Sequence, residues 1–192
     1  MEKNLLIIGA GGHGRCIAEV AALSGEFSQI AFLDDSWLPG GIQASNLIGR
    51  TEHLAEHTHS FSHVIIGIGN NNVREKMHSQ VLDQGMNLAT LIHPKAFISA
   101  SAQIGKGTVV FPGVVLGPNT RIGDNVIINC NSTVDHDGFV DDLAHIGVGV
   151  QLAGSSHIGR GAFIQAGSCA GFNAVAEPYA IFAPGSILKS RA

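Results

Sequence analysis

The chain has 192 residues, 45% hydrophobic and 14% charged, with 25 glycines and a net charge of -4. This composition supports the core of one large or two small domains, argues against disorder, and leaves no basic footprint for nucleic acid. The apolar run before Gly9 is too short for a signal peptide or a transmembrane span, and Cys16, Cys130 and Cys169 form neither a disulfide framework nor a CxxC zinc pattern, which indicates a reduced, cytoplasmic protein without membrane insertion.

Leu5-Leu6-Ile7-Ile8 is continuous, apolar and closed by Gly9, as in a buried strand of a parallel sheet. Gly9-Ala10-Gly11-Gly12-His13-Gly14 matches GxGxxG, and residues 16–23 have helical content that ends near Gly25. A second strand, Ile30-Ala31-Phe32-Leu33, runs into Asp34-Asp35. Strand, glycine turn, helix, strand and acids about 20 residues on make a βαβ nucleotide-binding unit. The glycines let a phosphate approach the backbone, the helix N-terminus favours its charge, and the acids can accept hydrogen bonds from ribose or base. Trp37-Leu38-Pro39-Gly40-Gly41 reads as a loop and residues 51–56 as a short helix. Residues 63–69 form another buried strand, followed by a helix through Val73, Met77 and Leu82 with Arg74 in its first turn. Leu88-Ala89-Thr90-Leu91-Ile92 is a last strand before His93-Pro94. A dinucleotide needs two such halves, and only residues 1–90 are available, so one nucleotide moiety is favoured over NAD; a purely structural glycine turn stays open.

From Ile92 the chain keeps a period of six without insertion. Aliphatic or small apolar residues recur at Ile92, Ile98, Ile104, Val110, Leu116, Ile122 and so on to Leu188, each followed four places later by a mostly small residue. Six fits neither a helix nor a flat strand; it fits a coil of three short faces with a turn at each corner. The expected architecture is therefore an α/β Rossmann-like domain over 1–90 followed by a parallel β-helix of hexapeptide repeats over 91–192. One repeat cannot bury its own apolar side, so stability comes from stacking.

Three hexads close one coil, so residues 18 apart stack at about 4.8 Å. His136, in Asp135-His136-Asp137-Gly138, is then flanked by Pro118 and Gly154, and the absent side chain at Gly154 leaves room for a ligand. A carboxylate beside an imidazole holds its tautomer and raises its basicity, which suits a general base; an exposed acidic corner is the competing reading. His145 lies half a coil on, on another side of the prism, so the two histidines meet only between subunits. No nucleophile motif and no metal spacing stand out.

The GAGGHG unit, the Leu-Asp-Asp and Gly-Ile-Gly-Asn-Asn strand ends, the Ile-His-Pro junction and hexapeptides containing Asp-His-Asp and Ala-His-Ile-Gly-Val-Gly together resemble bacterial sugar acyltransferases of the PglD/NeuD type. The similarity covers nearly the whole chain. It implies a left-handed β-helix, a homotrimer with active sites between subunits, acetyl-CoA as donor, and N-acetylation of a nucleotide-linked (UDP or dTDP) amino-dideoxy sugar for surface glycans. Carried over by motif, His136 resembles the base and Asp137 its supporting acid. Asn129 resembles an asparagine near the sugar, and His145 the histidine that contacts acetyl-CoA. Gly11, Gly12 and His13 resemble the loop on the nucleotide-sugar phosphates, Asp34 and Asp35 the contacts to the nucleoside, and Gly69 the closure of that pocket. Gly154 and Ala166 match small positions along the coenzyme cleft. Members usually continue past the last hexads into a Gly-x-Pro-Ala segment; here Leu188-Lys189-Ser190-Arg191-Ala192 reads as an exposed basic terminus. Two other readings remain: an O-acetyltransferase acting on a sialic acid or related sugar, and a non-catalytic nucleotide-binding solenoid.

Overall fold

The computed structural model describes residues 2–36 and 46–190. The loop read at 37–41 and the basic residue Arg191 lie outside them. The chain divides into two compact units, Met1–Leu91 and Ile92–Ala192.

The first unit is a five-stranded parallel sheet with strand order β3-β2-β1-β4-β5. Its elements are β1 (Asn4–Ile8), α1 (Gly12–Ser24), β2 (Gln29–Leu33), β3 (Leu47–Gly49), a 3₁₀ turn (Thr51–His57), β4 (His63–Ile66), α2 (Asn71–Asp83) and β5 (Asn87–Leu88). β1 pairs with β2 and β4, which explains why Leu5, Leu6, Ile7 and Ile8 are all fully buried: a central strand covered on both faces has no polar side. α1 stops at Gly25, which takes the left-handed conformation at φ 67°. Strand order reverses between β1 and β4, so the crevice at their C-terminal ends is the topological switch point where such sheets take ligands.

Two expectations are corrected. Leu47–Gly49, not anticipated as a strand, adds β3 beside β2. Residues 88–92 are not one strand: β5 ends at Leu88 and pairs with β4, whereas Leu91–Ile92 begins the array. Between them Ala89 donates its amide to Val64 O at 2.8 Å, tying the chain to the first sheet beyond the end of β5.

The second unit is a left-handed parallel β-helix. Its two-residue strands form three parallel sheets of six, six and five strands, each paired with the strand 18 residues on, as Val115 with Thr133, Arg121 with Phe139 and Ile127 with His145. Val110, Leu116, Ile128, Val134, Ile146 and Ile158 are fully buried along the axis. At each corner the small residue four places on closes the turn, and serine or threonine hydroxyls there satisfy carbonyls, as Ser156 Oγ does for Ala153 O at 2.6 Å.

Candidate active site

In the first unit β1 and β4 both run into glycines, and their loops interlock. A Cβ on Gly14 would lie 1.9 Å from the Gly9 carbonyl oxygen, and one on Gly67 would lie 2.8 Å from Gly14 Cα. These positions are glycine because the two backbones touch. Gly11, Gly12 and Gly69 differ: a Cβ there meets nothing within 4 Å. Their missing side chains leave the loop face open. The first intrahelical bond of α1 is Arg15 N–H to Gly11 O, and no acid occupies the first turn, so the electropositive helix end faces this opening.

His13 stands in that first turn. Burial, and then the Arg74 charge, lower its pKa from 6.5 to about 4. It is therefore a neutral imidazole at physiological pH. Arg74, which the sequence placed in the first turn of α2, was given no role there. Its side chain is completely buried and donates from Nη1 to Ile68 O (3.3 Å), Gly69 O (3.2 Å) and Asn71 Oδ1 (2.9 Å), which braces the β4–α2 turn. Burial lowers its pKa to about 10, so it still carries its charge at neutral pH. A fully buried cation against the β4–α2 turn was signalled only by its position in the helix's first turn.

Asp34 and Asp35 have structural duties that the spacing did not reveal. Asp34 Oδ2 accepts from Ala10 N–H at 2.7 Å and Oδ1 from the Ser36 amide and hydroxyl. Burial pulls its pKa up, but the Ser36 hydroxyl and the two amides together hold it below the usual value. Asp35 Oδ1 accepts from the Thr51 amide and hydroxyl. Asp34 thus pins the glycine loop itself.

In the β-helix, His136 sits at the corner after the strand Thr133–Val134. Its Nδ1 is 2.8 Å from Asp137 Oδ2, and its backbone N–H donates to Asp135 Oδ1 at 2.7 Å. Asp135 Oδ2 stands 4.0 Å from Nε2. The hydrogen bond to Asp137 raises the His136 pKa; slight desolvation opposes this, and the Asp135 and Asp137 charges add to the rise. With Nδ1 committed to Asp137, Nε2 is the nitrogen left to take a proton.

Gly154 corrects one expectation. The space above His136 is not vacant for a ligand: a Cβ on Gly154 would lie 2.5 Å from His136 Cε1 and Nε2 and 2.9 Å from Phe172 Cε1. The missing side chain houses the imidazole and lets Phe172 lean over it, with ring centroids 5.9 Å apart. The Gly154 amide donates to no group among the described residues, while its carbonyl accepts from Asn173 N–H. Ala166 is exposed on a different corner, after Phe163–Ile164, so Gly154 and Ala166 do not form one surface within the chain.

His145 lies in a different sheet from the strand that leads to His136. It is nearly buried, stacked on Phe163 at 4.3 Å between centroids, with Nε2 2.9 Å from Asn129 Nδ2. The structure therefore joins Asn129 to His145, 16 residues apart, a pairing the 18-residue register does not display. Among the described residues no group of three His, Cys, Asp or Glu side chains could hold a metal, and no helix is long and apolar enough to cross a membrane.

Comparison with known proteins accords with both units. Residues 4–81 match the model of the PglD N-terminal domain, and residues 101–136 match that of the bacterial transferase hexapeptide (six repeats). UDP-N-acetylbacillosamine N-acetyltransferase of Bacillus subtilis (strain 168) is 35% identical over 112 residues, which are 56% of this chain and 51% of that protein; the match spans about half that relative's length. The acetyltransferase domain of PglB from Neisseria gonorrhoeae FA1090, solved in complex with acetyl coenzyme A, is similar over 98% of this chain and 94% of that one, with 33% identity and a TM-score of 0.91. PerB from Caulobacter crescentus, solved with CoA and GDP-perosamine, covers 96% of this chain and 90% of its own at 28% identity, with a TM-score of 0.78. The matched N-terminal unit, the hexapeptide array and the near-complete overlap with the PglB domain place this chain among the PglD-type sugar acetyltransferases.

Proposed function

We propose that the protein transfers the acetyl group of acetyl-CoA to the amine of a nucleotide-linked amino sugar, with His136 as general base. The observation that carries this reading is the 2.8 Å bond between His136 Nδ1 and Asp137 Oδ2, which fixes the tautomer and leaves Nε2 as the proton acceptor. The neutral amine attacks the thioester carbonyl, a C–N bond forms, and the carbonyl electrons move onto oxygen. Nε2 takes the amine proton. The Gly154 amide, which donates to no group among the described residues, is the candidate donor to the oxyanion. Collapse of the tetrahedral species breaks the C–S bond, and the departing thiolate takes the proton from Nε2, which leaves CoA as the thiol and returns His136 to its neutral form. No covalent enzyme intermediate is needed.

The nucleotide moiety belongs at the switch point of the first sheet. There Gly11, Gly12 and Gly69 leave the loop faces open, the α1 N-terminus supplies donors for a diphosphate, and the buried Arg74 adds positive charge behind the loop with the neutral His13 ring beside it. Asp34 and Asp35 hold the loop ends and offer remaining lone pairs to the nucleoside. His145 and Ala166 are assigned to the coenzyme, and Asn129, hydrogen-bonded to His145, to the sugar beside it, within a homotrimer. The relatives' names support the reaction class: N-acetylbacillosamine is linked to UDP in one and perosamine to GDP in the other.

The test is release of free CoA thiol from acetyl-CoA with UDP-, dTDP- and GDP-linked amino sugars, set beside free sialic acid. Turnover confined to one nucleotide-linked amine is expected. Turnover with free sialic acid alone would favour O-acetylation, and nucleotide binding without any turnover would favour the solenoid reading.

A further inference from the structure

The corner that carries His136 differs from the other two in one respect. Each corner has a column of left-handed residues, 18 apart. Two columns are built partly or mostly of glycine: Gly107 and Gly161 among Asn125, Leu143 and Tyr179, and Gly113, Gly149, Gly167 and Gly185 around Asn131. The third contains Asn119 (φ 60°), Asp137 (57°), Ser155 (57°) and Asn173 (57°), with no glycine. Side chains are kept here in a conformation that favours glycine, although asparagine and aspartate tolerate it best.

The stacking puts Asn119 one rung below Asp137. Asn119 Nδ2 donates to Asp137 Oδ1 at 3.2 Å, while Asp137 Oδ2 accepts from His136 Nδ1–H at 2.8 Å. Asn119 is itself held from the rung beneath, its backbone amide donating to Ser101 Oγ at 2.9 Å. Asp137 is exposed, and a carboxylate gripped by one oxygen would swing about its side-chain torsions. A donor on each oxygen pins its plane. An amide does this without a charge; a lysine or arginine at 119 would compete with His136 for the carboxylate.

We infer that Asn119 is a positioning residue for the reaction, acting through Asp137 to keep the His136 ring in the tautomer and orientation that expose Nε2. This rests on the reading of His136 as the base. The charged groups around the pair are Asp135 on the Nε2 side and Arg121, which lines the same cavity of about 440 Å³ as Asn119 and Asp137; Pro118 and Gly154, one rung to either side of His136, and Phe172, two rungs on, are uncharged.

Asn119→Gly is the informative variant, because glycine accepts the left-handed backbone and removes only the amide. Expected results are an unchanged melting temperature, a kcat lowered roughly tenfold with the KM for acetyl-CoA unmoved, and a His136 ring titration, followed by NMR in the ligand-free protein, displaced down toward 6.5. In an Asp137→Ala background the same substitution should add nothing. A turn-only role predicts an unshifted His136 titration and wild-type kcat, and an equal loss in the Asp137→Ala background means action by another route; either result overturns the inference. Full activity in His136→Ala would instead sink the base assignment, and the NMR titration would still report on the Asn119 link because it needs no turnover.

Discussion

The two units use glycine for opposite ends. In the first, Gly9, Gly14 and Gly67 bring two backbones into contact, while Gly11, Gly12 and Gly69 leave space beyond the chain. In the second, the space over Gly154 is filled by the chain's own His136 and Phe172 rings. The open loop of the first unit is lined mainly by backbone amides, with a buried cation bracing the neighbouring β4–α2 turn. At the His136 corner of the second, Asp135, His136 and Asp137 are adjacent in sequence, and the 18-residue register adds Asn119 to them. The glycine loop of the first unit is thus written in one contiguous motif, with Asp34, Gly69 and Arg74 added from later strand ends, whereas the Asn119–Asp137 contact of the β-helix is written vertically, down a column.

The largest expected effect tests the column. His136→Ala should lower kcat by on the order of 10²- to 10⁴-fold, with little change in KM, measured by thiol release. The same column sets the pH dependence. The base must be neutral, and Asp137 raises its pKa above 6.5, so kcat should be lost as pH falls through that raised value. Asp137→Asn should move the midpoint down. Nucleotide binding should show no such limb between pH 6 and 8, since His13, with a pKa of about 4, stays neutral throughout. A limb shared by binding and turnover would overturn the assignment of nucleotide and base to separate units.

A second break is steric and confined to the first unit. In Gly14→Ala the new methyl would sit 1.9 Å from the Gly9 oxygen, with backbone on both sides and no flexible neighbour to give way. A loss of roughly 3 kcal/mol or more is expected for such an overpacked contact, read as a lower denaturant midpoint for the first unit. The β-helix, with its own buried core, should keep its transition.

How much of this was legible follows the same division. The hexads located the strands because their period matches the coil, and GAGGHG located the loop because its chemistry is local. β3 was missed because three residues make too short a run for periodicity to register. The break at Ala89–Thr90 was missed because an apolar run carries no sign of a change of sheet. Arg74's burial depends on the β4–α2 turn closing over it. The pair Asn129–His145 is offset by two residues from the coil repeat, and Phe172 reaches His136 across a rung with no side chain; neither follows from counting in eighteens.

The smallest expected effect is the sharpest on the first unit. Gly11→Ala adds the same methyl as Gly14→Ala, three residues away, where it meets nothing within 4 Å. Gly11 is the extended N-cap of α1 at φ -67°, a conformation alanine adopts freely, so backbone strain is not an issue. Stability should therefore stay within about 0.5 kcal/mol. If the opening exists to admit a phosphate against the α1 amides, the methyl occupies that approach. The KM for the nucleotide sugar should then rise several-fold while kcat at saturation and the KM for acetyl-CoA hold. Unchanged kinetics would make the open glycines mere turn chemistry and move the nucleotide elsewhere; a fall in stability equal to that of Gly14→Ala would erase the distinction between the glycines that pack and those that leave space.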